Sequence, residues 1–127
     1  LNPLADFTLA IQPMVHVRSM ADSIAFFEAL GAELVFGSRD GDWVLLQIGG
    51  GTMSLLGHKP SADSPWPVEL QFTCATQLET IEEHLREVAP GIIERGTADE
   101  AFGKMLQLRT PDGLLVKVLQ LDRELIG

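Results

Sequence analysis

The sequence predicts an α+β fold of two tandem β-α-β-β-β modules, and three observations lead there. A segment of alternating polarity followed by a capped amphipathic helix occurs once in each half of the chain. Each half then closes on a hairpin signal, Gly49-Gly50-Gly51 in the first and Thr110-Pro111-Asp112-Gly113 in the second. Between the halves, His58 to Pro67 holds Pro60, Pro65 and Pro67 and reads as a linker. The predicted organisation is one domain over residues 1–127, with module one at about 9–57, the linker at 58–67 and module two at about 68–120.

In the first module, Leu9 to Val17 reads as a strand with two different faces. Ile11, Pro13, Val15 and Val17 point one way and Gln12, Met14 and His16 the other. Ser19 stands where a helix N-cap belongs, with Asp22 three residues on, and Ile24, Phe27 and Leu30 recur at helical spacing from Met20 to Leu30. Gly31 is free to adopt the left-handed conformation that ends a helix. A short strand at Glu33 to Phe36 gives way to the turn-rich run Gly37 to Asp42. Trp43 to Ile48 and Thr52 to Leu56 then form a hairpin. The lead-in, Leu1 to Thr8, reads as a loose arm.

The second module repeats the pattern. Val68 to Phe72 alternates, Thr76 and Glu79 make a T-x-x-E capping box, and Leu78, Ile81 and Leu85 line one helix face within Gln77 to Val88. Pro90-Gly91 stops that helix. Ile92 to Glu94 reads as a short strand, Gly96 to Glu100 as a loop, and Lys104 to Leu108 with Leu114 to Leu119 as the closing hairpin.

Composition narrows the functional classes. The 127 residues are 46% hydrophobic, enough for a core. No apolar run reaches the ~20 residues of a membrane helix, and no signal-peptide pattern opens the chain. The single cysteine, Cys74, excludes an internal disulfide and fits a reducing cytoplasm. A formal net charge of −9 argues against a nucleic-acid partner and is compatible with a cationic or neutral small molecule, or simply with solubility.

Alternation also sorts the strand residues. Val15, Val17, Leu70, Phe72, Leu106, Leu108, Val116 and Val118 should face the helices. The other face carries Gln12, Met14, His16, Glu69, Gln71, Met105, Gln107 and Lys117, a mixed set that suits a ligand cavity or a solvated sheet face. Trp43, Met53, Leu55, Trp66 and Phe102 are the expected apolar wall, with Trp66 placed among prolines as a lid. His58 and His84 read as surface residues, and Cys74 has no neighbouring base that would make it a nucleophile. Gly49-Gly50-Gly51 joins strands and so is no phosphate loop.

The run V-x-S-x-x-x-S-I-A-F-F-E-x-L-G from Val17 to Gly31 resembles the opening of a vicinal oxygen chelate module. Thr110 to Val118, T-P-D-G-L-L-V-K-V, resembles the closing hairpin of the same superfamily, which includes glyoxalase I, extradiol dioxygenases and fosfomycin- and bleomycin-resistance proteins. Together the two cover nearly the whole chain. The resemblance implies curved sheets around a cleft, helices on the outer faces, and a homodimer. It also implies four metal-ligand positions, which fall on Gln12, on Leu55, on Pro67 or its neighbours Val68 and Glu69, and on Lys117 in place of a glutamate. Leucine and proline offer no ligand and an ammonium repels a divalent ion, so no metal and no cofactor is expected.

Two functions from different classes follow, with a third beside them. The first is metal-independent binding of a small molecule, as in the bleomycin-resistance branch, by sequestration of an antibiotic or another cationic or aromatic compound, with no catalytic residue. The second is a glyoxalase-, lyase- or isomerase-type enzyme in which His16 or Glu69 is general base and Lys117 stabilises developing negative charge. The third is a degenerate module whose cleft serves dimer contacts. If Lys117 faces the cleft it needs a counter-charge, and Glu69 or an anionic ligand group is the expected source.

Overall fold

The computed structural model describes residues 9–75 and 77–126. The chain divides into two compact units, one spanning Ile11–Leu70 and the other running from Gln71 together with Leu9 and Ala10.

The first unit contains β2 (Met14–His16), α1 (Met20–Ala29), β3 (Glu33–Phe36), β4 (Trp43–Ile48), β5 (Gly51–Leu56) and the opening of β6 (Val68–Cys74); β1 (Leu9–Ile11) precedes them. Its strands hydrogen-bond in the order β3-β4-β5-β2-β6. β2 lies parallel to β5, Met14 opposite Ser54, and antiparallel to β6, Met14 opposite Glu69. The helix forms where the spacing places it. Ser19 is extended, and its hydroxyl accepts the Asp22 N–H at 3.3 Å. Beyond the last turn Gly31 sits at φ +100°, a left-handed angle that costs glycine nothing. The β4–β5 hairpin turns in two residues, with φ +56° at Gly49, which matches the twist of the strands.

One long first strand was expected over Leu9 to Val17, and the structure breaks it in two. Pro13 has no N–H to give a ladder, while its carbonyl still accepts the Ser54 N–H at 2.9 Å. The core of this unit lies under α1: Ile24, Val44, Leu46 and Leu55 are fully buried, with Met20 and Ala32, and Val15, Val17, Phe27 and Met53 pack around them. Each fully buried Leu, Ile or Val contributes roughly 1.5–3 kcal/mol. Leu30, expected on the buried stripe, is instead the C-cap and is 61% exposed, because the helix ends before its last apolar position can reach the sheet.

The second unit repeats the topology. The rest of β6, α2 (Leu78–Val88), β7 (Ile93–Glu100), β8 (Gly103–Arg109) and β9 (Leu115–Leu121) are followed by a short α3 (Arg123–Ile126). Strand order β6-β9-β8-β7 matches β2-β5-β4-β3. Leu78, Ile81 and Leu85 of α2 pack with Cys74, Leu106 and Val118, and Phe72 and Leu108 close the cluster.

Two expectations are corrected here. The N-cap of α2 is Gln77, with no side-chain cap bond; the Leu78 N–H is met instead by the side-chain oxygen of Gln120 at 2.8 Å, a partner 42 residues away. Thr76, the expected cap, lies outside the described residues. Gly96 to Glu100, expected as a loop, continues β7, which pairs with β8 through two register shifts. Its polar composition is tolerated because β8 supplies the ladder partners and the Glu82 carboxylate of α2 accepts the Thr97 N–H at 2.6 Å.

Candidate ligand site

On β2 and β5 of the first unit, the face away from α1 carries the polar residues. Gln12 is 4% exposed, and its side-chain oxygen accepts the Thr52 hydroxyl at 3.1 Å. Among the described residues its Nε2 and the Ser54 hydroxyl are buried with no hydrogen-bond partner, where most buried polar groups have one. Met14 is buried and in register with Ser54.

His16 is the fixed point of this face. Its Nδ1 lies 2.8 Å from the His58 carbonyl and its Nε2 2.5 Å from a Glu69 carboxylate oxygen. The two side chains are 6% and 5% exposed. A carbonyl only accepts, so Nδ1 carries a hydrogen, and Nε2 is hydrogen-bonded to the carboxylate. Both ring nitrogens are therefore engaged. A histidine so held ties β2, β6 and the proline-rich stretch together and has no lone pair to offer as general base.

The concavity beside it measures about 850 Å³ and lies wholly within the first unit. One wall is His16 at the end of β2 with Val17 and Arg18 just after it; the rest is Gly57 and the proline-rich stretch, chiefly Lys59, Pro60, Ala62 and Pro65. The prolines stiffen that wall, a bridge between Ser61 and Ser64 ties its middle, and His58 hydrogen-bonds Asp42 at 3.1 Å. Arg18 and Lys59 were not singled out from the sequence. The signal the sequence offers is a rigid, proline-bearing stretch too long to be a tight turn, a composition that also suits a boundary between modules.

The other expected residues divide by face. Met53 and Leu55 pack in the core under α1, because Thr52, Ser54 and Leu56 take the opposite face of β5; neither is a site wall. Trp43 is half-buried against Phe36, ring centroids 6.3 Å apart. Trp66 is 61% exposed and is not among the residues lining the concavity described above. In the second unit, Met105, Gln107 and Lys117 alternate away from α2, with Gln107 and Lys117 directly paired across β8 and β9. Gln71 is buried, and Phe102 is half-buried where β7 turns into β8.

The donor set does not fit the four-ligand metal centre of the resembled superfamily. Leu55 faces the core, the Glu69 carboxylate is bound to His16, and a lysine stands at the last position. Among the described residues no three His, Cys, Asp or Glu side chains are grouped to hold an ion.

Comparison with solved structures bears on the fold. A glyoxalase/bleomycin resistance protein/dioxygenase superfamily member from Vibrio splendidus 12B01 aligns over 89% of this chain and 99% of its own, with TM-score 0.64 and 24% identity. The chain has that superfamily's fold. An NAD-dependent benzaldehyde dehydrogenase from Legionella pneumophila shares the fold over 88% of this chain and 99% of its own, at TM-score 0.68 and 17% identity. So does an uncharacterized protein from Methanosarcina mazei, over 89% and 92%, at 0.57 and 19%. At these identities the glyoxalase/bleomycin-resistance likeness concerns architecture alone. No protein-family model and no curated protein matches the sequence. Among the described residues no helix is long and apolar enough to cross a membrane.

Proposed function

We propose that this protein binds a small organic molecule without a metal ion and acts by holding it rather than converting it. The observation that carries the reading is the concavity of about 850 Å³ between the end of β2 and the proline-rich stretch. Its size falls in the range of ~300–1,000 Å³ usual for small-molecule sites, and its walls combine apolar surface with a few polar groups. The engagement of both His16 nitrogens weighs against acid–base turnover there. Sequestration of an antibiotic, as the bleomycin-resistance likeness of the sequence implies, is one form this function takes.

The test is a melting screen in the presence of a metal chelator, with metal-free bleomycin among the compounds. At least one should raise Tm saturably, and Ala62→Trp, which narrows the concavity from an exposed lining position, should reduce the shift without lowering the Tm of the free protein. No Tm rise from any compound, or turnover of the methylglyoxal–glutathione hemithioacetal, would overturn the reading.

A further inference from the structure

We infer that the concavity selects an organic anion, a carboxylate carried on an apolar body, through Arg18 and Lys59. The inference rests on the reading that this concavity holds a small molecule, and it names the ligand's charge. Arg18 comes from the connection between β2 and α1 and Lys59 from the proline-rich stretch, so two separate segments bring cations to one hollow. Neither has a carboxylate partner among the described residues.

The lining runs against the composition of the chain. Acidic residues outnumber Lys and Arg by 18 to 9, yet no Asp or Glu lines the concavity. The carboxylates that approach it are already engaged, Glu69 with His16 and Asp42 with His58, and Asp63 belongs to the stretch without lining the hollow. The remaining carboxylates are not among the lining residues, and salt screening weakens their effect with distance. The charged side chains that a bound molecule would touch are therefore both cations. Val17, Pro60, Pro65 and Pro67 supply the apolar surface for the body of the ligand, and the planar guanidinium of Arg18 matches the geometry of a carboxylate. A cationic ligand, expected from net charge, would meet two like charges here.

Calorimetric titration with three probes of one shape, naphthoate, naphthylmethanol and naphthylmethylammonium, tests this. Naphthoate should bind tightest. Arg18→Gln and Lys59→Gln should each weaken it about fivefold, the value of one exposed ion pair, and leave naphthylmethanol unchanged. Both side chains are exposed, so the fold should be spared, as circular dichroism melts will report. Naphthylmethylammonium binding as tightly as naphthoate, or naphthoate indifferent to both substitutions, overturns the anion assignment and leaves small-molecule binding standing. If none of the three binds, the small-molecule reading of this concavity falls with it.

Discussion

His16 joins segments 42 and 53 residues away through two hydrogen bonds made by one ring. Its neighbours make the cost of removing either partner unequal. His16→Ala removes one buried hydrogen bond to the Glu69 carboxylate, and the loss of such a bond to a charged group costs about 2 kcal/mol. Glu69→Gln keeps a group that donates an N–H to Nε2 while Nδ1 still donates to the His58 carbonyl, so about 1 kcal/mol is expected. Urea denaturation of the two variants measures both, and equal losses would contradict the geometry. Alternation alone put His16 and Glu69 on the site face of their strands. Their pairing depends on the β2–β6 register, which no local pattern encodes.

At the scale of elements, α2 and β7 are joined by Glu82. The Thr97 N–H holds its carboxyl below the usual carboxylate range, with the Arg86 guanidinium adding to the effect. Since the folded state lowers the pKa, the contribution is fully present above the unfolded value near 4.5 and is lost as pH falls through the folded value. Wild type should exceed Glu82→Gln by about 1 kcal/mol at neutral pH, and the difference should vanish in acid. Denaturation of both proteins across pH 7 to 3 checks it; a gap independent of pH would refute the assignment. Glu28 and Glu79 are also lowered, by the side-chain hydrogen bonds of Arg39 and Lys104, but they are common to both proteins and cancel. The β7 segment shows the limit of local reading. Its Gly-Thr-Ala-Asp-Glu run has loop chemistry, and only the open edge of β8 makes it a strand.

For the whole molecule, the resemblance in sequence implies a homodimer, which we carry forward as a proposal. Light scattering at micromolar concentration should then give about twice 13.8 kDa, and a monomer mass at every concentration would remove it. The net charge of −9 bears on long-range encounter, while the proposed selection of an anion rests on the two cations that line the hollow.

The sequence by itself determined the duplicated module, both helices with the buried stripe of α2 and part of that of α1, the two closing hairpins and the sorting of most strand residues by face. Each of these is written in short-range periodicity, caps and turn residues, which act within a few positions. The tertiary structure alone decided three further things: that Met53 and Leu55 belong to the core, that Gln120 caps α2, and that the supposed linker is the wall of a hollow. Those depend on strand register and on contacts between segments tens of residues apart, and a one-residue shift in register exchanges core for site.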